Sequence, residues 1–221
     1  MVAEDYKSKR RIPPMSQLIA CRNSHGIVLA GDSKTLAFDS NGKLIEVETE
    51  RLVQLSERVA ILAGGAAEGV EMGDALKGFI AEEGLRDVQD IYTAAVPFLA
   101  SEYEKFMRKK CEILPVDPLH HVHFILAGYS EANEEKPRMY LLWTKKKLPQ
   151  LDGDEIGLSY TVPRRMGLEY KLNQLCKENA PLEEIVKRVR ESIERLGREQ
   201  EEVGPPFVYA LITKEGFKKV A

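Results

Sequence analysis

The chain has one tryptophan, three cysteines and four histidines in 221 residues, and no hydrophobic run of membrane-spanning length. A transmembrane helix needs roughly 20 consecutive apolar residues, so none is expected. Cys21, Cys111 and Cys176 are odd in number and far apart. They suit neither a disulfide framework nor a metal site, which points to a reducing, cytoplasmic setting. Charge of one sign is also lacking: 32 basic against 35 acidic residues leave a net charge of −3. That gives no footprint for nucleic acid or an anionic membrane. Residues 1–15 are basic at Lys7, Lys9, Arg10 and Arg11, but no apolar stretch precedes Pro13-Pro14. They read as an N-terminal extension or propeptide, not a secretory signal. His120, His121 and His123 lie close together, with 121 and 123 on one strand face. No matching carboxylate or cysteine spacing accompanies them, so neither metal nor cofactor is expected.

What is present suits one well-buried core: 43% of residues are hydrophobic and 30% charged. Residues 16–221 read as a single domain. Ser16 to Arg22 and Ile27 to Asp32 form two strands around the turn Asn23-Ser24-His25-Gly26. Residues 33–49 suit a loop or small hairpin. Arg51 to Leu55 and Val59 to Ala63 make a second hairpin, whose run Val59-Ala60-Ile61-Leu62-Ala63 is apolar on both faces and so covered on both sides. Helices are expected over Ala66 to Glu83 and from Asp87 onward, the latter kinked at Pro97. Strands return at Val122 to Ala127 and Met139 to Trp143. A loop carries Asp152-Gly153-Asp154. Helices follow over Pro163 to Lys177 and Pro181 to Leu196, the second with Pro181 at its first position and Gly197 just past its end. Phe207 to Thr213 and Phe217 to Val220 close the chain. Alternating runs of strands and helix pairs argue for α+β. With both-face apolar strands, they predict a four-layer αββα sandwich: two antiparallel sheets flanked by helix pairs.

In this order the residues resemble the proteasome family, the self-compartmentalising N-terminal-nucleophile (Ntn) hydrolases. That family opens with Thr, a strand, a Gly turn, and a strand ending Leu-Ala-(Ala/Gly)-Asp before Ser/Thr. Here Gly26, Leu29-Ala30-Gly31-Asp32 and Ser33 follow the pattern. Counting back from Asp32 puts Ser16 at the nucleophile position. Arg51-Leu52-Val53-Gln54-Leu55 leads to Ala63-Gly64-Gly65-Ala66-Ala67-Glu68, in the manner of the family's basic residue and Ala/Ser-Gly-x-x-Ala-Asp. Ile156-Gly157, Thr213 and Gly216 resemble its second half. There are departures. The nucleophile is Ser and the family Lys is Arg51. Gly-Ser-Gly reads Gly157-Leu158-Ser159, and Asp-x-x-Ser-Gly reads Gln200-Glu201-Glu202-Val203-Gly204.

The resemblance implies a peptidase or amidohydrolase with Ser16, Asp32, Arg51, Gly64 and Ser159 as its site. An N-terminal residue brings its own base, an α-amine with a pKa of about 7.7–8.0, lowered further by a nearby cation. Arg51 would supply that field, held by a charge-assisted hydrogen bond that it donates to Asp32. The Gly64 N–H would bind the oxyanion, and Leu62 would line an apolar specificity pocket. Each residue also has a plain reading: a polar strand start for Ser16, a strand terminator for Asp32, a surface salt-bridge partner for Arg51, a tight turn for Gly64-Gly65. The mechanism needs a free amine at Ser16. Self-cleavage, or initiation at Met15 followed by methionine removal, would expose it. The alternative is a catalytically silent ring scaffold or binding subunit. By resemblance the partners are a peptide or protein substrate, further copies in a homo-oligomeric ring, and an ATPase or cap.

Overall fold

The computed structural model describes residues 16–38, 44–111, 121–130, 136–144 and 150–220. The N-terminal extension, Met15, His120 and the Lys145-Lys146-Lys147 turn lie outside the described residues.

The described chain is mixed α+β, with four helices and three antiparallel sheets. One five-stranded sheet has the order β10-β1-β2-β11-β12, from Ser159–Val162, Leu18–Asn23, Gly26–Asp32, Phe207–Thr213 and Gly216–Val220. The other has the order β5-β6-β7-β8-β9, from Leu52–Ser56, Val59–Gly65, Val122–Ser130, Lys136–Thr144 and Leu151–Glu155. A hairpin, β3 (Lys34–Phe38) with β4 (Leu44–Glu48), joins the two sheets along the chain.

Strand side chains alternate faces, and the apolar residues sort accordingly. Leu18 and Ala20, Ile27 and Leu29, Ala60 and Leu62, and Ile125 and Ala127 form one cluster between the sheets. Ile61, Ala63, Phe124 and Leu126 turn the other way, onto helices α1 (Glu68–Glu82) and α2 (Val88–Cys111). Ile19, Cys21, Val28 and Ala30 face α3 (Met166–Lys177) and α4 (Leu182–Glu199). On α4, Ile185, Val189 and Ile193 are fully buried at helical spacing. Each contributes about 1.5–3 kcal/mol through burial.

Several boundaries differ from expectation. The Asp152-Gly153-Asp154 segment is an edge strand, β9, paired with β8 through Leu142↔Gly153. β10 is a further short strand, paired with β1. Helix α2 runs through Pro97 as one element, and Asp87 caps it by accepting from the Gln89 amide at 2.7 Å. Pro181 stands just outside α4, as its N-cap. Gly197 lies within α4, not after it, and a Cβ there would sit 2.9 Å from the Phe207 ring. Close packing, not a helix stop, explains that glycine. No helix among the described residues is long and apolar enough to cross a membrane.

Candidate active site

Asp32 ends β2 and Arg51 stands just before β5, so the β3–β4 hairpin between them joins the end of one sheet's strand to the start of the other's. Both side chains are fully buried. Asp32 Oδ1 lies 3.8 Å from Arg51 Nε. That separation is an ion pair but too long for the expected hydrogen bond. Asp32 Oδ1 instead accepts from the Gln17 amide at 2.8 Å, and the Asp32 amide donates back to Gln17 O at 3.2 Å. Ser16 is therefore one covalent bond from an amide that shares an oxygen with the Arg51 pair. Arg51 Nη2 donates to Lys34 O at 2.8 Å and to Thr35 Oγ1, and Nη1 to Ala63 O at 3.4 Å.

Gly64 joins the same region by packing. A Cβ on Gly64 would lie 2.9 Å from Leu18 Cδ1, and one on Gly31 would lie 3.4 Å from Leu18 Cδ2. Asp32, Arg51 and Gly64 thus lie around the start of β1, where Asp32 holds the amide of Gln17, the residue after Ser16. The expected oxyanion role of Gly64 is nonetheless corrected. Tyr129 N donates to Arg58 O and Ala66 N to His121 O, so even-numbered residues of β6 exchange hydrogen bonds with β7. Gly64, opposite His123, spends its N–H on that ladder. Odd-numbered residues face β5, where Ala63 N donates to Arg51 O at 2.9 Å. Gly65 reaches past the start of β5, so its N–H has no β5 residue opposite it. Gly65 also has φ +88°, and a Cβ there would sit 2.0 Å from His121 O. Gly65→Ala is expected to destabilise the fold by about 2–3 kcal/mol, measured by denaturant unfolding. Unchanged stability would contradict the strained turn.

Ser159 does not join the cluster. It pairs with Cys21, five residues along β1 from Ser16, or about 16 Å at strand rise. Its hydroxyl donates to Glu169 O and Asn173 Oδ1, on the face toward α3. Leu62 is fully buried between the sheets, as core rather than pocket lining. The segment expected to lack the supporting acid does approach the site. The Gly204 amide faces the Asp32 carboxylate, while Val203 is buried against the helices. Glu201 is exposed and Glu202 half-buried, both in the turn after α4.

Two site neighbours, Gln17 and Arg165, carry no sequence signal of their own. Arg165 Nε donates to Gln17 Oε1 at 2.9 Å, and its Nη2 donates to Gln200 Oε1. This bridge occupies the flank where the family pattern has an Asp.

Burial raises the Asp32 carboxyl to about 6, opposed by the Arg51 charge and by the Gln17 and Gly204 amides. Burial likewise lowers Arg51 to about 10, opposed by Asp32. Because Asp32 binds its proton more tightly in the fold than in the unfolded chain, ionising it costs stability. That cost is complete above about pH 6 and is relieved as pH falls toward about 4. The stability difference between wild type and Asp32→Asn should therefore shift in favour of wild type between pH 6.5 and 4.5, a window spanning about 2 units. Unfolding titrations at both values test it, and a pH-independent difference would contradict it.

Among the described residues, no group of three or more His, Cys, Asp or Glu is placed to hold a metal. His121 Nδ1 is bonded to Thr144 Oγ1 at 2.8 Å. Cys21 and Cys176 are free thiols buried against each other between β1 and α3. No protein-family model matches the chain, and no curated protein matches it.

Proposed function

We propose that the chain is a proteasome-like Ntn hydrolase, a peptidase or amidohydrolase that acts through Ser16 once the residues before it are removed. The paired sheets with helices outside are then the four-layer αββα sandwich of that class. The observation that carries the reading is the buried Asp32–Arg51 pair beside the Ser16–Gln17 peptide. A buried ion pair is a weak source of stability. Beside a serine at a strand entry it has a chemical use: the cation holds a free Ser16 amine in its neutral, basic form.

In the reaction, that amine takes the Ser16 Oγ proton as Oγ attacks the substrate carbonyl carbon. The Gly65 N–H, rather than that of Gly64, binds the oxyanion. The proton passes to the leaving amine, and water then hydrolyses the ester. Arg51 stays charged throughout, so it sets the field and does not relay protons. Assembly into a homo-oligomeric ring, with an ATPase or cap feeding it peptide in the cytoplasm, belongs to the same proposal.

One observation favours a second reading, a silent ring scaffold. Ser159 faces α3, and the Arg165 bridge between Gln17 and Gln200 stands where a supporting acid is wanted. The experiment that separates the two is hydrolysis of fluorogenic peptides by chain that begins at Ser16, compared with full-length chain. Activity in the first alone supports the enzyme.

A further inference from the structure

Away from Asp32 and Arg51, a cleft of about 520 Å³ opens between β8, β9 and β10. Its walls are Leu141, Trp143, Ile156 and Tyr160, with His123 among them. His123 is on the inner face of β7, between Gly64 on one neighbouring strand and Trp143 on the other. The volume lies within the usual range for small-ligand sites, and the lining is mixed, with Ser159 and the charged Asp154, Glu155 and Arg164 beside the apolar and aromatic groups.

His123 is the unusual member. Its Nδ1 is fully enclosed with no hydrogen-bond partner. Burial, with His121 nearby, lowers the imidazole to about 4, so it is neutral at pH 7. A neutral imidazole carries one N–H. With no acceptor beside Nδ1, the proton belongs on Nε2, the nitrogen left to face the cleft. The ring thus offers one neutral donor on the inner face of the cleft, beside the aromatic rings of Trp143 and Tyr160.

The rim's charges are already compensated. Glu155 is paired with Arg22 and Arg138, each at 3.3 Å. Arg164 is paired with Glu169 at 2.6 Å and lies 4.3 Å above the Tyr160 ring. Asp154 is exposed at the edge and forms no salt bridge with another described residue. A neutral ligand fits this balance better than an anion.

We propose that this cleft binds an aromatic side chain bearing a hydrogen-bond acceptor, tyrosine above all, with His123 as the specificity-determining residue. The aromatic body packs against Trp143 and Tyr160, and its hydroxyl oxygen accepts from His123 Nε2. Leu18 is opposite Val162 in the β1–β10 pair. Ser16 precedes the first and Arg164 follows the second, so the Arg164 edge of the cleft is at the Ser16 end of that pair and Ser159 lines its far end. The source of the tyrosine, a peptide, rests on the proposed function. Binding itself needs no freed Ser16.

Trp143 is the chain's one tryptophan, so its fluorescence reports on this cleft. Full-length chain is titrated with N-acetyl-tyrosinamide, N-acetyl-phenylalaninamide and N-acetyl-tyrosine under tryptophan-selective excitation. The tyrosinamide should give a saturable change, with affinity about fivefold above the phenylalaninamide, as one hydrogen bond provides. The anionic N-acetyl-tyrosine should bind more weakly than the tyrosinamide. His123→Phe should abolish the preference for tyrosinamide without lowering the melting temperature, since it removes an unpartnered polar atom. Should that variant melt early, His123→Leu carries the same comparison. His123→Gln, which keeps an N–H donor, should retain part of the preference.

No saturable change with either amide, or a tyrosine preference that survives His123→Phe, overturns the proposal. Tyrosinamide binding in a chain that never hydrolyses peptides removes the catalytic reading and leaves this site standing. Hydrolysis without tyrosinamide binding does the reverse.

Discussion

Replacing Arg51 by Met lowers stability by about 3–5 kcal/mol, because it strands the Asp32 carboxylate in a fully buried position. For a chain of 221 residues, that is a fall in melting temperature of roughly 10 °C. The double variant Asp32→Asn with Arg51→Met regains much of the loss, since no unpaired charge remains inside. Arg51→Lys falls between. It keeps the charge, but one ammonium cannot reproduce the fork that reaches Ala63 O, Lys34 O and Thr35 Oγ1. Calorimetry on the four proteins checks the series. A single Arg51→Met variant as stable as wild type would mean that the pair is not closed off from water. The same substitution has a chemical consequence in chain that begins at Ser16. Without the cation, the Ser16 amine becomes more basic, and the acid limb of the pH–rate profile moves to higher pH.

The second large effect is on rate. In chain that begins at Ser16, Ser16→Ala lowers peptide hydrolysis by at least about 10³-fold, the scale on which loss of a nucleophile is felt. Stability should hardly change. Ser16 precedes β1, outside its strand ladder, and its side chain is small. Equal loss of folding and activity would mark Ser16 as a structural residue. Loss of activity alone marks it as the nucleophile.

Much of the architecture is legible in the sequence because the strands are apolar in runs and α4 carries one clean stripe. Val59-Ala60-Ile61-Leu62-Ala63 can satisfy its alternation only with a covering on each face, and it has one. β9 and β10 escape that reading for a physical reason. Leu151–Glu155 has the Asp and Gly of a turn, and as an edge strand it needs only one partner. Ser159–Val162 has four residues, too few for a period to show.

The site is legible in a coarser way. Asp32 takes the amide of Gln17, next to Ser16, and Arg51 reaches Ala63 O, next to the Gly-Gly pair. The choice between Gly64 and Gly65 is not legible, because it depends on which ladder each amide faces, and a one-residue step reverses that. Ser159 fails for the same reason. Its strand pairs with β1 in a register that points the hydroxyl at α3. Arg165 reaches Gln17 across 148 positions of chain, a contact that no local pattern announces. His123 reads from sequence as one of a histidine cluster. Its place on the inner face of β7, beside the cleft, is what the sequence does not announce.

The most direct test of the account is intact-mass analysis combined with active-site labelling of chain translated from Met15. Methionine removal should leave a mass that starts at Ser16. A peptide carrying a hydroxyl-directed electrophile should then add once, with the adduct mapped to Ser16 and absent from Ser16→Ala. Chain that starts at Ser16, stays unlabelled and leaves fluorogenic peptides uncut would contradict the catalytic reading and leave the scaffold.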